Sequence, residues 1–154
     1  MMKQSMLYSF CLLICLACNS NKATSQSHTK NEIKMETSIE KAIEDFVKGG
    51  DTQDVAQLET VLHPEFRTSV NQFKGADGVT VLNRDAYLGM IRDKKLGGTP
   101  RSFEVRYFKN YGHTASAELH MESSVLVFDN FLSLVQDKSG KWWVIADAAT
   151  AKPK

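Results

Sequence analysis

From Val125 to Val135 the chain reads Val-Leu-Val-Phe-Asp-Asn-Phe-Leu-Ser-Leu-Val. Few architectures accept such a run. Almost every position is apolar, so a strand here belongs inside a sheet, covered on both faces, where no side chain has to meet water. Asp137-Lys138-Ser139-Gly140 follows, and Lys141-Trp142-Trp143-Val144-Ile145-Ala146 returns, in a hairpin that extends from Ser124 to Ala149. An aspartate opening a four-residue segment that closes on glycine fits a type I turn followed by a left-handed glycine bulge, so the two arms pair as neighbours. One residue conflicts with the run. An ionised Asp129 in a dry sheet would cost on the order of several kcal/mol, and it therefore needs a partner, a proton or a cavity.

Length and composition bound the rest. With 154 residues, 42% hydrophobic and 24% charged, the chain suits one globular domain with some additional sequence. Lys plus Arg number 19 against 18 for Asp plus Glu, and the single excess charge disappears once Lys3 is set apart with the leader. There is no electrostatic footprint for nucleic acid. Arg92-Asp93-Lys94-Lys95, the densest basic cluster, reads as the solvated end of a helix, where cations complement the dipole. Cys11, Cys15 and Cys18 all fall in the leader, so the domain is expected to hold together by packing, without disulfides or thiolate ligands.

Residues 1–17 carry one charge, Lys3, and then the apolar run Met6 to Ala17. The run is too short to span a bilayer and has the form of a secretory signal, which predicts export. Residues 18–34 are polar, include His28, and read as a flexible tether. Residues 35–150 form the expected domain and 151–154 a short tail.

Within the domain, Thr37-Ser38-Ile39-Glu40 has the form of a capping box, and Ile39, Ala42, Ile43, Phe46 and Val47 follow at helical spacing until Gly49-Gly50. Asp51 is placed to cap a second helix bearing Val55, Leu58, Val61 and Leu62, ending at His63 before Pro64. Phe66 to Asn71 and Val79 to Leu82 read as short strands about a turn at Gly75-Ala76-Asp77-Gly78. Asn83 caps a third helix, with Tyr87, Leu88, Met90 and Ile91 on one stripe, that reaches Lys95. The period then changes to two. Phe103, Val105 and Tyr107 alternate with Glu104 and Arg106, and Ala115, Ala117, Leu119 and Met121 alternate with Ser116, Glu118 and His120. With the terminal hairpin this gives an α+β fold, a four-stranded antiparallel meander packed on three N-terminal helices.

Two resemblances add to this reading. Cys15-Leu16-Ala17-Cys18 resembles the lipobox of bacterial lipoproteins, although Cys15 stands where leucine is usual. The resemblance implies acylation of Cys18 and a periplasm-facing protein attached to the membrane through lipid alone, where two or more acyl chains give stable anchoring. The alternative is ordinary cleavage near Ala23-Thr24-Ser25, releasing a soluble periplasmic or secreted protein.

The order of elements is similar to the nuclear transport factor 2-like, cystatin-like cone. Leu62-His63-Pro64-Glu65-Phe66, Asn83-Arg84-Asp85-Ala86-Tyr87-Leu88, Tyr111-Gly112-His113-Thr114-Ala115-Ser116-Ala117, Asp129-Asn130-Phe131-Leu132-Ser133-Leu134 and Gly140-Lys141-Trp142 resemble the group of that superfamily labelled Putative lumazine-binding. The likeness covers roughly Met35 to Ala148 and implies a curved antiparallel sheet closed by helices. Shared catalytic residues do not come with the label, and fold does not fix function. Steroid isomerases of the superfamily place a protonated aspartic acid on the penultimate strand, and Asp129 stands at the matching place. Their general-base aspartate and first-helix tyrosine correspond here to Val70 with Asn71, and to Ile43, which argues against that isomerisation.

The expected site follows. Asp129 is a candidate cavity carboxyl with a raised pKa, able to hydrogen-bond a ligand, against the plainer reading of a structural pair. A one-residue change of register would put Asn130 inside instead. Tyr107, Phe66, Phe131 and Trp142 are candidate lining, though aromatic residues at strand spacing are commonly core. His113 and His120 are an odd number of residues apart on one strand, hence on opposite faces, so no metal site is expected, nor a cofactor motif. The leading expectation is a non-catalytic module binding a small apolar or aromatic molecule. An isomerase, cyclase or dehydratase acting through Asp129 is the alternative, and a homodimer formed through the polar face of Ser116, Glu118 and His120 is the third.

Overall fold

The computed structural model describes residues 35–72, 75 and 77–154; the expected signal segment, Cys18 and the tether lie outside the described residues, as do Phe73, Lys74 and Ala76. Helix α1, Thr37–Thr52, turns Ile39, Ile43, Phe46 and Val47 inward. The Thr37 capping box does not form, because Glu36 takes the N-cap position and receives the Ser38 hydroxyl on its own carboxylate at 2.8 Å. Gly49 and Gly50 do not end the helix either. It continues to Thr52, with Gln53 as a left-handed cap, φ 54°. The glycines serve close packing, since a Cβ on Gly49 would fall 2.8 Å from Leu58 Cγ on the next helix. That helix, α2, Val55–Val61, is capped by Asp54, whose carboxylate accepts the Gln57 N–H at 2.9 Å, and Asp51 is thereby freed for another partner.

Strand β1, Leu62–Asn71, starts directly after α2, earlier than Phe66, and takes Pro64 into its length. The ladder to the last strand is irregular between Leu62 and Arg67, so the missing proline N–H costs no regular pairing. β2, Val79–Asn83, leads into α3, Arg84–Arg92, where the Asn83 side chain accepts the Ala86 N–H at 2.9 Å, as its sequence position predicts. β3, Ser102–Asn110, β4, Thr114–Glu122, β5, Leu126–Gln136, and β6, Trp142–Pro153, complete the chain. β6 runs through the residues expected to form a tail.

The six strands form one sheet in the order β2-β1-β6-β5-β4-β3, with β1 and β6 parallel and every other pair antiparallel. The fold is α+β with three helices, as the periodicity predicts, and a curved, unclosed sheet, as the family resemblance implies, although β1 pairs with β6 in parallel where only antiparallel pairs were expected. β5 is internal, and Gly140 takes the left-handed position of the β5–β6 turn at φ 86°, its N–H donating to the Asp137 carbonyl at 3.0 Å. The helices cover one face only. Ala117, Leu119, Leu132, Leu134 and Val144 are buried on that face, whereas Phe131, on the other side of β5, is 54% exposed.

Two irregularities decide which side chains face inward. In β3 the register shifts between Val105 and Tyr107, leaving Arg106 as an extra residue. In β6, Ser133 pairs with Ala146 but Leu134 pairs with Val144, leaving Ile145 extra. Each insertion reverses the alternation beyond it.

Candidate functional site

A cavity of about 490 Å³ opens between the end of α1, α3, the loop before β3, and the inner face of β1, β2, β5 and β6. Its walls are largely apolar, with Phe46, Val70, Leu82, Leu96, Phe128 and Ala149 prominent. At its floor sit Thr68, Asn130 and Asp147, all buried. The Ile145 bulge puts Asp147 there. Trp142 and Val144 face inward, so unbroken alternation would turn Ala146 in and Asp147 out, and the inserted residue exchanges them.

The three floor side chains are joined by hydrogen bonds. Asn130 Nδ2 donates to Asp147 Oδ1 at 2.8 Å, and the Thr68 hydroxyl donates to Asp147 Oδ2 at 3.1 Å. Burial pushes the Asp147 carboxyl up to about 6, while the bonds from Asn130 and Thr68 and the charge of Arg101 pull the other way. Asn130 Oδ1 is buried with no hydrogen-bond partner among the described residues. Tyr87 stands beside this group, its ring edge-on to Phe66 at 5.4 Å and stacked on Phe46 at 6.5 Å. Burial raises its phenol pKa, and the neighbouring Asp147 charge adds to the effect.

Arg101 forms the rim. Its Nε and its backbone N–H both donate to the carboxylate of Asp51, at 2.5 and 2.9 Å, and Nη2 donates to the Val47 carbonyl at 3.2 Å. The guanidinium carbon lies 5.4 Å from the centre of the Phe128 ring. The loop that carries Arg101 is pinned by glycine. The Gly98 N–H donates to the Gly50 carbonyl at 3.1 Å, and any Cβ on Gly97, φ 70°, would run into that same oxygen. Gly50 in turn leaves space at the rim, since a Cβ there would lie 3.0 Å from Arg101 Nη2 and 3.7 Å from Tyr87 Oη.

Of the six candidate ligand-binding residues, Asn130 alone lines this cavity. Asp129 lies on the opposite face of the sheet. His120 Nδ1 is 2.7 Å from its carboxylate, Arg106 Nη1 3.4 Å and Lys152 Nζ 3.9 Å. Its pKa is accordingly lowered, first by the His120 hydrogen bond and then by the surrounding positive charge, where a raised value was expected. The buried run Leu132 and Leu134 fixes the parity of β5, so Asn130 turns in and Asp129 turns out. Phe131 shares the outer face with Asp129. Tyr107 joins them there at 49% exposure, thrown outward by the Arg106 bulge, and Phe108 takes the inward place. Phe66 and Trp142 are buried in the core. Periodicity gave no hint of Asp147, Thr68, Arg101 or Asp51 as site residues. The one available signal was that Asp147 interrupts the apolar return arm just as Asp129 interrupts the outgoing one.

The sheet, the three helices and the hollow between them define a nuclear transport factor 2-like fold. Solved structures agree. An NTF2-like protein of unknown function from Shewanella baltica is 18% identical, with a TM-score of 0.66 over 77% of this chain and 94% of its own. One from Cytophaga hutchinsonii is 15% identical, at 0.63 over 78% and 100%. A ketosteroid isomerase-like protein from Erwinia carotovora is 9% identical, at 0.61 over 75% and 94%. None of the curated proteins compared matches the chain. The family model described as Putative lumazine-binding matches residues 34–148, and the chain belongs to that family.

Proposed function

We propose that the domain is a non-catalytic binding module for a small, mainly apolar or aromatic molecule, held in the cavity between sheet and helices. The observation that carries this reading is an apolar hollow of about 490 Å³ ending on the buried Thr68–Asn130–Asp147 group. That volume lies within the ordinary range of ligand sites, and a few polar groups at the end of an apolar pocket fix orientation. The family label, which names lumazine, a planar heteroaromatic, is consistent with it. Carried by an exported chain acylated at Cys18, the module would face the periplasm; a palmitate label lost in Cys18→Ala tests the anchor, and normal processing of that variant would overturn it.

Occupancy is tested by dansylamide fluorescence and native mass spectrometry. Wild type is expected to enhance the fluorescence or retain a small compound, and Ala149→Phe, which fills the cavity, to do neither. A wild type silent in both measurements would overturn the binding reading.

One observation favours an enzyme of the isomerase, cyclase or dehydratase kind. A carboxyl raised to about 6 is well placed to exchange protons near neutrality. The group would be Asp147, since Asp129 cannot reach the cavity. Turnover of enone or β-hydroxyketone substrates, lost in Asp147→Asn, would establish it.

The outer face, with Phe131 54% and Tyr107 49% exposed beside the polar side chains of β4, supports a two-fold association through the sheet. Sedimentation of wild type as a dimer and of Phe131→Glu as a monomer is the expected result.

A further inference from the structure

The polar groups at the cavity floor are unequal in kind. Two of the donors there, the Thr68 hydroxyl and one N–H of Asn130, are spent on Asp147. An ionised carboxylate offers about four lone-pair sites and these two bonds fill two of them. Asn130 Oδ1 adds a further acceptor, itself buried and without a donor among the described residues. Arg101 is held at the rim, its Nε–H donating to Asp51 and one Nη2–H to the Val47 carbonyl, and its charge is matched by Asp51. Phe46, Tyr87 and Phe128 line the walls and give them aromatic surface.

We infer that the cavity selects molecules whose inward end is an amidine-type edge, two N–H donors on neighbouring nitrogens, carried on an aromatic body and pairing with the Asp147 carboxylate. This rests on the small-molecule-binding reading and names its ligand class. Parallel N–H donors match the two oxygens of a carboxylate in both spacing and charge. An imide edge, as in a dione, would instead turn carbonyl oxygens toward acceptors. The 2-amino-4-oxo edge of pterin therefore binds more tightly than the dione edge of lumazine. Carboxylate ligands are rejected by the charge of Asp147.

The selection depends on pH. The groups facing Asp147 are Thr68 on β1, Asn130 on β5, Tyr87 on α3, and Arg101 with its partner Asp51 on α1, and Lys95 stands at the mouth. Below about 6 the carboxyl holds its proton and an incoming amidinium has to displace it, so affinity falls as pH drops and is flat above.

Calorimetric titration of the full chain with benzamidine and with benzamide separates the outcomes. At pH 7.5 benzamidine is expected to bind roughly tenfold more tightly than benzamide, since charge assistance about doubles a hydrogen bond. That advantage is expected to fall about tenfold by pH 5 and to vanish in Asp147→Asn. Should that variant not fold, wild type alone decides, because benzamidine binding near pH 6 releases about half a proton, read from the buffer dependence of the heat. Equal binding of the two probes, or binding of dansylamide but of neither probe, would overturn the amidine selection and leave the cavity reading standing. Failure of all three, with no compound retained in native mass spectrometry, would overturn both.

Discussion

Asp147 places a carboxylate at a buried position, and its protonation is part of the stability of the fold. Its ordinary value of 3.8 is pushed to about 6 in the folded chain. Between these values the folded state holds a proton that the unfolded state has lost, so stability from this group falls as pH rises from about 4 to 6 and stays low above. Two units correspond to about 3 kcal/mol. Asp147→Asn, which keeps the shape of the neutral acid and can still accept from Asn130, is expected to gain up to about 3 kcal/mol at pH 7.5 and nothing at pH 4. Urea denaturation at the two pH values measures it. At this scale the sequence was a divided guide. A charged residue in an apolar strand does announce a special environment, but Asp129 and Asp147 make the same announcement, and only strand parity tells that one meets His120 outside and the other Asn130 inside.

The elements were more legible. The α1, α2 and α3 stripes, the Asn83 cap and the Asp137–Gly140 turn follow from local spacing, because each is fixed by contacts within a few residues. The bulges at Arg106 and Ile145 were not legible. A bulge is set by the partner strand, and nothing in Phe103–Tyr107 marks where the alternation breaks. The glycines were misread for a similar reason. Gly49 and Gly50 look like a helix stop, yet their purpose is long-range, toward Leu58 and the Gly97-Gly98 loop. Gly97→Ala adds a Cβ against the Gly50 carbonyl at a positive φ, and is expected to cost at least about 2 kcal/mol and to loosen Arg101. Thermal denaturation reads the first effect. The second appears as easier proteolysis in the Gly97–Arg101 loop.

Across the whole molecule the apolar mass is divided unevenly between the faces of one sheet. Phe66 is fully buried against Phe46 and Tyr87, whereas Phe131 is half-exposed on the uncovered side. In the monomer, Phe66→Ala is therefore expected to cost about 3–5 kcal/mol, and Phe131→Ala to change stability by less than about 0.5 kcal/mol. Chemical denaturation of both variants at low concentration makes the comparison. The continuous apolar run of β5 correctly predicted an internal strand, but interior position in the hydrogen-bonded direction does not entail cover on both sides.

The inserted Ile145 has a consequence beyond this chain. It advances the phase of β6 by one residue, so an ungapped correspondence with a relative whose last strand runs straight would match Asp147 to a solvent-side position and Ala148 to a ligand-side one. Transfer of binding residues along this strand has to be made by which way a side chain points and not by its place in a column. Two relatives with the same carboxylate at the same apparent position can thus differ in whether it meets their cargo at all.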